Sequence, residues 1–272
     1  MKIFFTVVLL FSSTLANANL LCIDVFPEKG PTVNDSGGKI PAEINAALSE
    51  RLKTALIMLN ETNPMGSNDP ELIRRGLVSF GKASMLCGPT CVTHLMTAVR
   101  VALGVTSRFE SDAHEIESLA TFGTDFSGHS VVKTGMTLAV LKAALDRDLE
   151  YHKIVAKTDA ITALPSLEID LPNLKRMPSI PLAELIPPDG TTQVTILGVT
   201  KLGSTSDHHL LLVLMHLSES QLFVVIDPVS PGEIGVIQAI EDPATHKTFI
   251  SSSNSTKDIA WVSGVVRVRL GY

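Results

Sequence analysis

Apolar residues recur at three- and four-residue steps in the first half of the chain and run together or alternate in the second. Residues 42–59 carry a helical pattern, and residues 88–103 set Val92, Leu95, Met96, Val99 and Leu103 on one stripe. The second stripe predicts an amphipathic helix stopped by Gly104. A third helix is predicted over 136–149, with Leu138, Leu141, Ala144 and Leu145 on one face after Thr134-Gly135. Residues 105–135 predict loop, and the Pro-punctuated stretch 159–188 predicts loops with short helices. Residues 193–199, 209–217, 222–226 and 262–270 are β-branched or apolar runs, the second and third joined by the turn-forming Ser218-Glu219-Ser220. In the last run, Val266, Val268 and Leu270 alternate with Arg267 and Arg269, which predicts a half-buried strand with one wet face. Helices first and strands second predict an α+β fold, with a helical N-terminal lobe and an antiparallel sheet lobe after it.

The first residues change the expected compartment. Lys2, an apolar run over 3–11 broken by Thr6, and Ala16-Asn17-Ala18 predict a secretory signal over 1–18, with Asn19 as the mature start. The run is too short to be a comfortable membrane span, so a secreted or periplasmic protein without a stable membrane anchor is expected. Residues 19–70 are expected to form an extension with a helix, and 71–272 the main domain. The 272 residues are 45% apolar with a formal charge of −6 and no basic stripe, which excludes an electrostatic case for nucleic acid.

An exported chain meets an oxidising space, and this one has 3 cysteines, so at least one stays free or pairs between molecules. Cys87-x-x-x-Cys91 lacks the second pair of ligands that a zinc site needs, and Asp207, His208 and His209 are too crowded along a strand to share a metal. No metal or cofactor is therefore expected. Asn34, Asn60 and Asn254 each begin a glycosylation sequon.

The richest chemistry lies in "SMLCGPTCV", residues 84–92. Cys87 precedes Gly88-Pro89 at the predicted start of a helix, where backbone N–H groups and the macrodipole favour a negative sulfur. That position is expected to leave the sulfur accessible, with Gly88 making room for a substrate backbone. Cys91, one turn deeper, is expected to be a small core residue or a partner of Cys22. The competing reading of Cys87 is an inert buried thiol. Far along the chain, His208 and His209 open one strand, and Asp227-Pro228 closes the next. Antiparallel pairing brings both to one end of the sheet, where a carboxylate can orient an imidazole that serves a thiol. Asp227 could instead simply begin a turn. Strand alternation sends His208 and His209 to opposite faces, and His209, which begins the aliphatic run, is the expected base. His94 and His216 are expected to be structural or surface residues.

In this order and spacing the residues resemble the papain-fold cysteine peptidases, above all the double-glycine leader peptidases that process bacteriocin precursors. The matching motifs are Cys87-Gly88-Pro89-Thr90-Cys91, His209 with the aliphatic residues after it, Asp227-Pro228, and the Gly135-Met136-Thr137-Leu138 helix start between them. The resemblance covers about residues 80–230 and implies a papain-like fold with Cys87 as nucleophile, His209 as general base and acid, and Asp227 as its orienting partner. It implies cleavage of a peptide or amide bond in a peptide or protein substrate through an acyl-enzyme, without a cofactor. The family carries a glutamine oxyanion donor about six residues before the cysteine. Gly81 stands there in this chain, and Lys82 and Ser84 are the nearest side-chain donors, Ser84 being the oxyanion-hole candidate. Phytochelatin-synthase-like transferases are similar in the same layout, which keeps peptidyl transfer open. A degenerate papain fold that only binds a peptide is the alternative from another class.

Overall fold

The computed structural model describes residues 42–64, 74, 85–110, 112–162, 180–186, 191–201, 208–217, 221–228, 230–242, 247–252 and 255–270. The helices are α1 (Ala42–Glu61), α2 (Cys87–Ala102), α3 (Ala113–Ser127), the single turn α4 (Val131–Thr134) and α5 (Leu138–Tyr151). They are followed by β1 (Ala156–Thr162), a 3₁₀ turn (Leu182–Leu185), β2 (Thr192–Lys201), β3 (His208–Leu217) and β4 (Leu222–Ile226). Strands β5 (Ile234–Asp242), β6 (Lys247–Ser252) and β7 (Ser255–Leu270) complete the order. The fold is α+β, as the order of patterns predicts.

The sheet is antiparallel, in the order β1-β7-β2-β3-β4-β5-β6, and β6 also pairs with β7. This second pairing closes six of the strands on themselves. β7 makes closure possible by its length: Trp261 is in register with Thr200 of β2 and with Phe249 of β6. Closure gives the sheet a buried inside, and the helices bury part of its outside. Leu197, Val199, Leu211, Val213, Phe223, Val225, Ile237 and Val262 fill the inside, with Ile180, Leu182 and Leu185 packed among them. Val194, Ile196, Leu210, Leu212, Val224, Ile226, Val266 and Val268 face outward against the helices. The expected wet face of β7 is therefore not wet. Arg267 is 8% exposed and pairs with Asp159 of β1 and Glu184 of the 3₁₀ turn, each at 2.5 Å. Two carboxylates offset the cost of burying the guanidinium.

Local rules account for the helix ends. Asp112 caps α3 by accepting from the His114 N–H at 2.8 Å, and Gly128 stops it in the left-handed region at φ 71°. Thr137 accepts from the Val140 N–H to start α5. α2 departs from expectation. All of its residues except Arg100 are buried, so it is a central helix enclosed by α1, α3, α5 and β3 rather than an amphipathic surface one. α1 also belongs to the main body. Leu48, Leu52, Leu56 and Leu59 lie in the same core as α2 and the outer sheet face. Four buried leucines at about 1.5–3 kcal/mol each rival the whole net stability of a typical domain, about 5–15 kcal/mol. α1 thus packs into the same core as the other helices and the sheet.

Three further expectations are corrected. Residues 105–135, expected as loop, hold α3 and α4, and residues 156–162, inside or beside a stretch expected as loop and short helix, form β1. β5 and β6 lie where no strand is predicted. Their alternation is interrupted by Gly235 and by charged and hydroxyl residues, and they are ordered by pairing with β4 and β7.

Candidate active site

Cys87 is the first residue of α2, and Pro89 lies in its first turn, where a missing N–H costs no intrahelical bond. The ladder begins with the Thr90 N–H donating to the Leu86 carbonyl at 3.0 Å. Gly88 sets how closely this helix end approaches the rest. A Cβ there would lie 2.7 Å from Met136 Cβ and 3.4 Å from a methyl of Leu210. Gly88 thus lets the start of α2 pack closely against Met136 and Leu210. Met136 is placed in turn by Leu138, which fills a hollow over Gly264: a Cβ at 264 would come within 1.9 Å of Leu138 Cδ1. The Gly135-Met136-Thr137-Leu138 stretch therefore wedges between the sheet and the start of α2. Its turn is possible because Gly135 takes φ 79°, outside the range that side chains prefer.

Because Leu210 touches the Gly88 position, the neighbouring His209 is carried to the same helix end. His209 and Asp227 belong, by alternation and by the Val213–Val225 register, to the side of the sheet that lines its interior, and both stand at strand ends on its rim. His209 Nε2 lies 2.8 Å from Asp227 Oδ1. Cys87 is close enough to favour the protonated His209 ring, and with Nε2 turned to Asp227, Nδ1 is the ring nitrogen left for the sulfur. Burial works against the imidazolium, yet hydrogen bonds and charge attraction from Asp227 and Cys87 prevail and raise the His209 pKa to about 10. Both members of the pair keep partial solvent contact, the imidazole at 29% and the carboxylate at 35% side-chain exposure.

The sulfur is less open than its helix-entry position predicts. Cys87 is 7% exposed and belongs to the core that joins helices and sheet. Met136 and Leu210 pack against the first turn of α2 at Gly88. Cys91 is fully buried, and burial first, then the proximity of Cys87 and Asp227, pushes its thiol up, which keeps it neutral. Both cysteines are free thiols. His94 is buried and its pKa is pushed down to about 4 by desolvation, so it is an uncharged core residue. His216 packs on Phe223 with ring centres 4.6 Å apart.

The Asp227 carbonyl accepts from the Ser230 N–H at 3.0 Å, and the loop ends in a second turn from Ser230 to Glu233. The end of α1 grips this loop. Asn63 Nδ2 donates to the Pro228 carbonyl at 2.9 Å, Asn60 Nδ2 donates to the Glu233 carbonyl at 3.0 Å, and the Gly232 N–H donates to the Asn60 carbonyl at 3.1 Å. Asn60 is 1% exposed, so its sequon is closed to glycosylation in the folded chain. Asn60 and Asn63 are missed as site neighbours by the sequence reading. The local signal, polar residues before Pro64 at a helix end, does not indicate a partner 165 residues away.

Cys22, Gly81, Lys82, Ser84, the signal segment 1–18, the turn 218–220 and the sequons at Asn34 and Asn254 lie outside the described residues. The backbone of His208 begins β3, and its side chain also lies outside them. Among the described residues no group of three or more His, Cys, Asp or Glu side chains could hold a metal ion, and no helix is long and apolar enough to cross a membrane. The chain matches no protein-family model, no curated protein and no solved structure at a significant level.

Proposed function

We propose that the chain is an exported, papain-like cysteine peptidase in which Cys87 attacks a peptide or amide carbonyl, His209 moves the proton and Asp227 orients His209. The observation that carries the reading is the meeting of these three side chains from α2, β3 and the loop after β4, in the order thiol, imidazole, carboxylate. In the reaction, Cys87 Sγ bonds to the carbonyl carbon while its proton resides on His209 Nδ1. The tetrahedral oxyanion collapses, the C–N bond breaks, and the leaving amine takes the proton from Nδ1. Water then attacks the thioester and gives its proton to His209. The acid leaves, and the proton returns to the sulfur. Throughout, Asp227 Oδ1 accepts from Nε2–H, which holds the imidazole with Nδ1 toward the sulfur and favours the imidazolium. The protein adds alignment to this chemistry, which in well-built sites contributes about 7–11 kcal/mol to lowering a barrier.

The test is to incubate the mature protein with a peptide mixture and with an electrophilic peptide probe. Loss of intact peptides together with a covalent adduct mapped to Cys87, both absent from Cys87→Ala, supports the proposal. Equal turnover by Cys87→Ala would remove it. An acyl group passed to added glutathione rather than to water would assign transfer in place of hydrolysis.

A further inference from the structure

We infer that Asn63, at the end of α1, is a positioning residue for Asp227, and this rests on the proposed role of Cys87, His209 and Asp227. Asp227 lies one residue past Ile226, where the pairing of β4 with Leu212 of β3 and Ile234 of β5 ends. Its carbonyl begins a turn to Ser230, and a second turn runs from Ser230 to Glu233. The end of α1 adds an attachment beyond the strand ends. The Asn63 amide donates to the carbonyl of Pro228, the residue bonded directly to Asp227, and both Asn63 and Pro228 are buried. The proline ring restrains φ at 228, so anchoring that carbonyl limits how the Asp227–Pro228 peptide can turn. Asn60 holds the other end of the loop at Gly232 and Glu233.

The Asn63 backbone lies at the natural end of a helix, its N–H donating to the Asn60 carbonyl at 3.4 Å. A side chain there is well placed to cap its own helix, yet this amide crosses to the segment that carries the carboxylate. A buried carbonyl left without its donor is costly, so the bond has one strongly preferred arrangement. Release of the Pro228 carbonyl lets Asp227 Oδ1 move off His209 Nε2. The imidazole then loses the partner that directs its other nitrogen at Cys87. A displacement of about 1 Å in such a support costs up to roughly a hundredfold in rate.

The experiment compares iodoacetamide labelling of Cys87, quantified by peptide mass mapping from pH 5 to 10, in wild type, Asn63→Ala, Asn63→Ser and His209→Ala, each checked for folding by circular dichroism. The expected result is that folded Asn63→Ala labels at least tenfold more slowly at pH 6, with its profile moved toward that of His209→Ala. Asn63→Ser is too short to reach the Pro228 carbonyl. It carries the same expectation should the alanine variant fail to fold. A wild-type profile in either folded variant, even with a lowered melting temperature, overturns the inference and leaves Asn63 a purely structural residue. If His209→Ala itself matches wild type, the proposed function fails, an outcome distinct from dependence on His209 without dependence on Asn63.

Discussion

The two sides of the candidate site are held by different forces. At the start of α2, Cys87 is located by apolar contact: Gly88 closes on Met136 and Leu210, and the sulfur sits in the common core. At the rim of the sheet, His209 and Asp227 are located by hydrogen bonds and charge, and both remain partly exposed. Apolar packing is insensitive to pH and intolerant of added volume. A hydrogen-bonded ion pair is the reverse. A thiol close to an imidazole therefore combines a rigid half with a titratable half, and each half can be broken separately.

The largest effect is expected from the rim. His209→Ala should lower turnover by about 10²–10⁴-fold and slow Cys87 labelling, whereas His208→Ala should leave most of both. Asp227→Asn should fall between them, because an orienting carboxylate is less costly to lose than the base it orients. Steady-state kinetics on the three variants checks this order. Greater damage from His208→Ala than from His209→Ala would place the base on the other face of β3.

A second test strikes the packed side without touching a titratable group. Alanine at 88 regains helix propensity, about 1 kcal/mol, but its Cβ would lie 2.7 Å from Met136 Cβ, and overpacking of this kind costs about 1–3 kcal/mol. The cost wins because Met136 Cβ, close to the backbone, cannot swing aside. Gly88→Ala should lower the melting temperature by a few degrees, at roughly 2–4 °C per kcal/mol in a chain of this size. It should also reduce Cys87 labelling by shifting the first turn of α2. Unchanged stability and unchanged labelling together would show that the helix end is not set by this contact.

A third test is a pH dependence confined to the rim. An unfolded histidine titrates near 6.5, while His209 in the folded chain holds its proton to about 10. A raised pKa means that the folded state binds the proton more tightly, so the contribution to stability is complete below about pH 6.5. It declines as pH rises and is lost on passing about 10. The melting-temperature difference between wild type and His209→Ala should accordingly shrink from pH 6 to pH 10, whereas that between wild type and Gly88→Ala should stay level. Calorimetry at several pH values tests both. A difference that widens with pH would reverse the sign of the His209 shift.

Much of this was written in the chain's local patterns. The steps of Leu48, Leu52, Leu56 and Leu59 and of Leu138, Leu141 and Leu145 mark α1 and α5 because a helix repeats its contacts every three or four residues. Helix α3 is misread as loop, although Ile116, Leu119, Ala120 and Gly123 recur at three- and four-residue steps. The stripe is weak to the eye because two of its four members are small and polar residues surround it. Cys87 before Gly-Pro, His209 before an aliphatic run and Asp227 before proline could be picked out one by one, because each sits at an element boundary that its neighbours define. Tertiary structure decided what no local pattern encodes. It buried α2 on every side, closed the sheet through the length of β7, and turned Arg267 from a wet-face residue into a buried ion pair. It also brought Asn63 to Pro228. Those outcomes depend on residues tens to hundreds of positions apart, where the deciding quantity is the space and polarity left by a distant segment.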